Sequence, residues 1–233
     1  DVYKRQGNGV ILKGGSEANY TNTAIVEALQ QGLHESGLDK NAICLLTSRK
    51  DSMAMLNLEK YINLIIPRGS NELVKFIQEN TRIPVLGHAD GICHLFIDNE
   101  ADLEMALAVA LDSKIQYPAA CNAIETLLVH RDIAPVFLKK AIPLFNANDV
   151  KLIGDERSLE LGIKHEASLE DWQTEYLDLI LSIKIVDDLD EAITHIQQYS
   201  SKHTDGIITE NLCTANKFMN VVDSAGVFHN CST

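Results

Sequence analysis

The sequence predicts an α/β protein with a mostly parallel sheet and helical crossovers. Short apolar runs typical of strands alternate along the chain with longer segments in which apolar residues recur at helical spacing. Of the 233 residues, 45% are hydrophobic, which is enough for one large or two small cores and argues against disorder. Neither an internal repeat nor a low-complexity tract interrupts the alternation. We therefore expect an ordered α/β fold with two domains.

The amino-terminal part of the chain begins with an apolar run at 10–12, which predicts a strand. Ile25, Leu29 and Leu33 then share one helical face, so a helix is predicted over about 18–36, with Gly37 as its stop signal. Further strands are predicted at 43–46, 62–66, 84–86 and 94–97, and a second helix after the turn at 67–70.

The carboxyl-terminal part resumes the alternation with a helix whose apolar face carries Leu103, Leu107 and Leu111. Asn99 is the predicted N-cap of this helix, and Asp102 follows three residues later. Further strands are predicted at 127–129, 150–153, 179–186 and 206–209, and further helices at about 132–145, 189–199 and 215–222. This order is typical of βαβ units, which favours a parallel sheet.

Charge and cysteine content exclude several classes of function. The net charge of −13 is spread along the chain, whereas binding to nucleic acid or to an anionic membrane surface needs a concentrated basic face. The apolar runs are too short to span a membrane. Five cysteines without framework spacing fit a reducing compartment better than a disulfide-bonded secreted domain, so a cytoplasmic location is expected.

One cysteine lies where a catalytic nucleophile could be activated. The run from Tyr117 to His130 places Cys121 in a turn of small residues between a helical pattern and an apolar strand. Backbone N–H groups of such a turn can lower the pKa of a thiol and make it nucleophilic. A small buried hydrophobic residue is the alternative, and the residues alone leave it open.

Two glycine-containing turns could bind a phosphate or a ribose. Lys13-Gly14-Gly15-Ser16 follows a strand and precedes a helix, so N–H groups, the helix dipole and an ammonium could converge on one ligand. Arg68-Gly69-Ser70 has the same setting. An ordinary turn and a solvated loop arginine are the respective alternatives.

His88, Asp90, Cys93 and His94 form a cluster that resembles a metal site only in composition. Their spacing matches no zinc pattern, and alternation along a strand would direct neighbouring side chains to opposite faces. We therefore expect a strand–turn–strand segment here and no bound metal.

Several runs in the same order carry a resemblance to a known family. The whole stretch from Gly7 to Thr233 resembles the gamma-glutamyl phosphate reductases (glutamate-5-semialdehyde dehydrogenases), a proline-biosynthesis branch of the aldehyde dehydrogenase superfamily. The runs that carry the resemblance are 7–18, 65–70, 88–98, 117–130, 172–178, 201–204 and 222–227.

The resemblance implies an aldehyde dehydrogenase-like α/β fold in which a partial Rossmann-type domain and a catalytic domain share a cleft. It implies a partial NADP-binding domain at 7–90 and a catalytic domain at 91–233. Residues 1–6 lie outside the family pattern and are interpreted as an adaptor-derived artefact. We expect both ends of the chain to be truncated, and the 233-residue chain by itself to be inactive.

The resemblance also implies roles for individual residues. Cys121 is the expected catalytic nucleophile. The expected NADPH/NADP contacts are Lys13, Gly14, Gly15, Ser16, Arg68, Gly69, Ser70 and Glu175, and the expected substrate contacts are Asn122, Ser201, His203 and Thr204. For Glu175, an exposed carboxylate at a strand edge is the alternative. His88 stands where the hydrolytic relatives carry a general-base glutamate, which would spare a thioester from hydrolysis.

The implied reaction is the NADPH-dependent reduction of L-glutamyl 5-phosphate to L-glutamate 5-semialdehyde and phosphate through a cysteine thioester. A homo-oligomer at full length and glutamate 5-kinase are the implied protein partners. Three alternatives stay open: another acylating aldehyde dehydrogenase, the reductase half of a bifunctional pyrroline-5-carboxylate synthase, and a non-catalytic relative that serves binding or assembly.

Overall fold

The computed structural model describes residues 7–87 and 90–233, and the chain divides after Gly87 into two compact units. The expected domain border between 90 and 91 lies close to this division. Each unit has its own sheet and is described by itself. The residues interpreted as an artefact, 1–6, and the general-base position, His88, lie outside the described residues.

The first unit contains one parallel βαβ arrangement. Strand β1 (Val10–Lys13) pairs in parallel with β2 (Ile43–Leu46), and helix α1 (Asn19–Glu35) connects them after a short 3₁₀ helix at Ser16–Ala18. Gly37 has φ = 74° directly after this helix, a conformation that glycine adopts without strain. The predicted strands and helix of this segment are confirmed.

The rest of the first unit departs from the prediction. Helices α2 (Arg49–Met55) and α3 (Asn71–Glu79) are present, but the predicted strands at 62–66 and 84–86 are wrong. They are reduced to one parallel bridge, Ile65 with Val85. Prolines explain this difference, because Pro67 and Pro84 have no N–H to extend a ladder.

The second unit is a seven-stranded sheet in which every pairing is parallel. The strand order is β6-β5-β7-β4-β3-β8-β9. The strands are β3 (Cys93–Ile97), β4 (Ile124–His130), β5 (Lys151–Gly154), β6 (His165–Glu166), β7 (Ile180–Val186), β8 (Thr204–Ile208) and β9 (Gly226–His229). The parallel α/β prediction is therefore confirmed.

Helices cover both faces of this sheet. The helices are α4 (Leu103–Ile115), α5 (Ala134–Asn146), α6 (Glu156–Glu160), α7 (Leu189–Tyr199) and α8 (Leu212–Val221). Leu95 and Ile97 belong to a core with α4 and α5, whereas Phe96 belongs to a core with α7 and α8. This alternation explains why the central strands are apolar throughout. In the part of the chain that the structure describes, no helix is long and apolar enough to cross a bilayer.

The start of α4 corrects the predicted cap. The N-cap is Asp102, whose Oδ1 accepts a hydrogen bond from the N–H of Met105 at 2.8 Å, and Asn99 lies in the preceding turn. An Asp at the N-cap satisfies an otherwise unpaired donor of the first turn. The sequence pattern was right about the helix and wrong about its first residue. Strand β9 and the short elements α2, α6 and β6 were not predicted.

Candidate active site

The predicted site residues of the second unit converge on one edge of its sheet. Because all of its strands are parallel, the loops that lead into them meet at the amino-terminal edge. Cys121 and Asn122 precede β4, Glu175 lies ahead of β7, and Ser201 and His203 precede β8. Thr204 is the first residue of β8. Widely separated parts of the sequence thus contribute to one region.

The nucleophile candidate lies in two consecutive turns. The N–H of Ala120 donates to the carbonyl of Tyr117 at 2.9 Å, and the N–H of Ala123 donates to the carbonyl of Ala120 at 3.0 Å. The side chains of Cys121 and Asn122 are exposed. Among the described residues, the backbone N–H groups of Cys121 and Asn122 have no hydrogen-bond partner. Two donors are therefore available beside an accessible thiol, as transition-state stabilisation in acyl transfer requires.

Gly91 joins the loop before β3 to this turn. A Cβ added at Gly91 would lie 3.0 Å from the Cα of Cys121 and 2.5 Å from Oε1 of Glu175. A side chain would therefore displace the backbone of the nucleophile turn, so only glycine permits this approach. The contact brings Glu175 and Cys121 to the same place, although they are 54 positions apart in the sequence.

Two reciprocal hydrogen bonds attach the loop before β8 to the same region. The N–H of Ile92 donates to Oγ of Ser201 at 2.9 Å, and the N–H of Ser201 donates to the carbonyl of Ile92 at 3.3 Å. Nδ1 of His203 lies 2.8 Å from Oγ1 of Thr204, which is buried. Ser201 thus holds the loop of Gly91, in addition to its proposed contact with substrate.

A buried carboxylate holds the strands beneath these loops. Oδ1 of Asp205 accepts from the N–H of His94 at 2.9 Å and lies 3.1 Å from Nδ1 of the same residue. Oδ2 accepts from the hydroxyls of Ser200 and Ser224. Both Asp205 and His94 are fully buried. A buried carboxylate is tolerated when its oxygens are satisfied in this way, and here it ties β3, β8 and the loop before β9 together.

A buried ion pair lies under the start of β4. Nζ of Lys114 is 2.6 Å from Oε2 of Glu125 and donates to the carbonyl of Ile124 at 3.0 Å. Oε1 of Glu125 accepts from the N–H of Leu177 at 3.3 Å, in the loop that carries Glu175. The pair therefore connects this loop to the strand that follows Cys121.

Burial shifts the ionisation of both members of this pair. It raises the pKa of Glu125 to about 7, against the opposing attraction of the Lys114 ammonium, and it lowers the pKa of Lys114. Both shifts favour the neutral forms, and the 2.6 Å contact suits either a charged or a neutral hydrogen-bonded pair.

In the first unit, the turn after β1 has the chemistry of a phosphate or ribose site. Neither N-cap position, Gly15 for the 3₁₀ helix or Ala18 for α1, supplies a side-chain cap. A Cβ on Gly14 would collide with the side chain of Asn22. Lys13 is exposed and donates to the carbonyl of Gly14, and Ser16 is exposed as well. N–H groups, an ammonium and a hydroxyl therefore fit an anionic or polyol ligand.

The second turn of the first unit has a clear local structure. Gly69 has φ = 155°, and a Cβ there would lie 2.8 Å from Cδ2 of Leu73. Oγ of Ser70 caps α3 by accepting from the N–H of Leu73 at 3.4 Å, and Arg68 is exposed. Glycine and serine are thus explained by the turn and the cap, and Arg68 is left as the group with binding chemistry.

Sequence reasoning missed the residues that hold the region together: Gly91, Ile92, Cys93, Lys114, Glu125 and Asp205. Lys114 carried a signal, because it follows Leu107 and Leu111 on the apolar face of α4. The sequence gives no signal for the roles of Gly91 and Asp205, since the residues that they contact, such as Cys121 and His94, are distant in the sequence. Within residues 7–87 and 90–233, no three His, Cys, Asp or Glu side chains are arranged to hold a metal ion.

Comparisons with known proteins agree with this architecture. A sequence profile described as "Aldehyde dehydrogenase family" matches residues 5–162. The chain is 90% identical over 229 residues to a protein named gamma-glutamyl phosphate reductase from Prochlorococcus marinus strain MIT 9301, and 62% identical to one of the same name from strain NATL2A. Each match covers 98% of this chain and 52% of the relative. The chain thus spans about half the length of these curated relatives.

Solved structures give the same result. A crystal structure of gamma-glutamyl phosphate reductase from Thermotoga maritima superposes with a TM-score of 0.94 at 40% identity, covering 97% of this chain and 55% of that one. An NADP complex of a glyceraldehyde-3-phosphate dehydrogenase from Methanocaldococcus jannaschii superposes with a TM-score of 0.72 at 18% identity, over 97% of this chain and 59% of that one. The latter likeness is one of fold.

Proposed function

The chain belongs to the aldehyde dehydrogenase family, and from that premise we propose that it is part of an enzyme that reduces L-glutamyl 5-phosphate to L-glutamate 5-semialdehyde. The observation that carries the proposal is the exposed Cys121, in a turn with two available N–H donors at the sheet edge where Glu175 and Ser201 also lie. The name of its 90% identical relative supports the substrate.

Cys121 begins the proposed reaction. Its thiolate attacks the acyl carbon of the substrate, a C–S bond forms, and the bond from that carbon to the phosphate oxygen breaks, so that phosphate leaves and a thioester remains. Negative charge develops on the carbonyl oxygen during the attack. The N–H groups of Cys121 and Asn122 stabilise that charge by donating hydrogen bonds.

The first unit is proposed to supply most of the cofactor contacts, and the second to supply Glu175 and to carry the chemistry. When bound, NADPH supplies the hydride that reduces the thioester to the aldehyde. Lys13, Gly14, Gly15 and Ser16 hold a phosphate or ribose through their N–H groups, ammonium and hydroxyl, and Arg68 contacts a further phosphate. Glu175 accepts hydrogen bonds from ribose hydroxyls. Gly69 and Ser70 shape the turn that presents Arg68.

The loops at the sheet edge are proposed to recognise the glutamyl group. Asn122 is exposed next to the nucleophile, and Ser201, His203 and Thr204 lie on the neighbouring loop and strand. An acyl phosphate must be supplied by a phosphoryl transfer to the side-chain carboxylate of glutamate, so a glutamate 5-kinase is the proposed upstream partner. We propose a cytoplasmic homo-oligomer for the complete enzyme.

The test uses a chimera in which these 233 residues replace the matching segment of the full-length MIT 9301 relative. NADP reduction by glutamate 5-semialdehyde is measured with and without phosphate. We expect turnover that needs phosphate and falls at least about 10³-fold in Cys121→Ala. The matched control is Cys213→Ala, an exposed cysteine in α8, which should stay within about twofold of the parent. Turnover without phosphate, or an active Cys121→Ala, would contradict the proposal.

A further inference from the structure

A second cysteine lies directly beneath the nucleophile turn. Cys93 is the first residue of β3, it is 0% exposed, and it lies opposite Ile124 at the start of β4. Its Sγ donates a hydrogen bond to the carbonyl oxygen of Cys121 at 3.3 Å. Among the described residues, this thiol is the one hydrogen-bond donor to that carbonyl.

The environment of Cys93 keeps the thiol in the form that donates. Burial raises the pKa of Cys93 well above its usual range, and the nearby Asp205 carboxylate acts in the same direction. The sulfur therefore stays protonated, and it does not compete with Cys121 as a nucleophile.

The direction of this hydrogen bond fixes a peptide plane. A trans peptide is planar, with its C=O and N–H pointing in opposite directions. The carbonyl of Cys121 points toward a fully buried thiol, so the N–H of Asn122 in the same peptide points away from the core. The side chains of Cys121 and Asn122 are exposed as well.

We infer that Cys93 is a positioning residue for acyl transfer: its thiol anchors the carbonyl of Cys121 so that the N–H of Asn122 is presented to the carbonyl oxygen of the acyl substrate. The inference rests on the proposed function for the nature of the substrate. It adds to that function a buried hydrogen-bond donor that acts only through the backbone of the nucleophile turn.

Neighbouring contacts keep the thiol and the turn in place. The backbone of Gly91 packs against Cys121, and the adjacent Ile92 is bonded in both directions to Ser201. The N–H of Ala123 is bonded to the carbonyl of Ala120, which fixes the next peptide of the turn. Within this packed turn, the Cys93 thiol is the hydrogen-bond donor that holds the peptide between Cys121 and Asn122.

The test compares two pairs of variants in the full-length chimera. In the first pair, Cys93→Ser keeps a hydrogen-bond donor and Cys93→Ala removes it, and both side chains are small. In the second pair, Cys93→Thr keeps a donor and Cys93→Val removes it, and these two side chains have nearly the same volume. If alanine prevents folding, the second pair decides. Melting temperatures are recorded for all four, because a packing defect would follow volume and not the presence of a donor.

The reaction measured is acylation of Cys121 by p-nitrophenyl acetate. The thiolate attacks the acetyl carbon, the bond to the phenolic oxygen breaks, and p-nitrophenolate leaves in a burst while a thioester forms. The reaction develops an oxyanion but needs neither NADPH nor a glutamyl group. Alkylation of Cys121 by iodoacetamide, followed by peptide mass spectrometry, is the matched control, because displacement at a saturated carbon develops no oxyanion.

We expect the burst rate to fall at least about tenfold in Cys93→Ala and Cys93→Val, since removal of a whole oxyanion donor costs about 10²–10³-fold. Cys93→Ser and Cys93→Thr should restore it to within about threefold, and alkylation should stay within about twofold in all four.

The inference is overturned if the burst is absent in the parent, unchanged in Cys93→Ala and Cys93→Val, equally reduced with and without a donor, or reduced in parallel with alkylation. The last result would mean that Cys93 controls access to the sulfur. Failure of the proposed function looks different: the burst and its dependence on Cys93 persist, while glutamate 5-semialdehyde is not a substrate.

Discussion

Glu125 is a buried ionisable residue beneath the loops of the candidate active site. Its carboxyl group is 1% exposed, lies 2.6 Å from Nζ of Lys114, and accepts from the N–H of Leu177. Removal of one member of such a pair leaves an uncompensated buried group, which is costly. Glu125 lies in β4 and is hydrogen-bonded to the loop of Glu175, so the state of the pair bears on the geometry around Cys121.

The raised pKa of Glu125 predicts a defined pH dependence of stability. Below about pH 4.5 the carboxyl group is protonated in both the folded and the unfolded state. Between about pH 4.5 and 7 the unfolded state has released the proton and the folded state retains it, so the free energy of unfolding should fall by about 1 kcal/mol per pH unit as pH rises. Above about pH 7 this contribution is constant.

Urea unfolding of the chimera at several pH values, followed by circular dichroism, measures this dependence. Glu125→Gln should remove the decline between pH 5 and 7, because the amide does not titrate. The exposed Glu170→Gln is the matched control and should retain it. An equal decline in the parent and in Glu125→Gln would assign the pH dependence to other groups.

At the scale of elements, hydrophobic periodicity predicted the strands and helices whose formation depends on residues close together in the sequence. The apolar strands β4 and β7 and the amphipathic helices α1 and α7 were predictable because their signals lie within one segment. Strand β8 starts at Thr204, before its apolar run, because the side chain of the next residue, Asp205, finds partners in His94, Ser200 and Ser224.

The cap of α4 provides a test at this scale. Asp102→Ala removes the acceptor for the N–H of Met105 and should lower the free energy of unfolding by about 1 kcal/mol. Asn99→Ala, at the position that the sequence pattern suggested, should change it by less than about 0.5 kcal/mol. Urea unfolding of both variants decides between the two positions. A larger effect at Asn99 would show that the helix begins earlier.

At the scale of the whole molecule, the family was readable from ordered motifs, whereas the assembly of the site was not. The motif around Cys121 identified the nucleophile candidate, and the parallel order of the strands explains why the loops before β3, β4, β7 and β8 meet. The contacts of Gly91, Cys93 and Asp205 depend on that order, which periodicity does not encode. The chain spans about half the length of its curated relatives. We therefore propose the complete reaction for the full-length enzyme.

The most direct test of the account is to trap the thioester. The chimera is incubated with glutamate 5-semialdehyde and NADP in phosphate-free buffer, and its peptides are analysed by mass spectrometry. We predict one glutamyl group on the peptide that contains Cys121, which disappears when phosphate is added, and no adduct in Cys121→Ala. A glutamyl group on another residue, or phosphate-dependent turnover that persists in Cys121→Ala, would contradict the account.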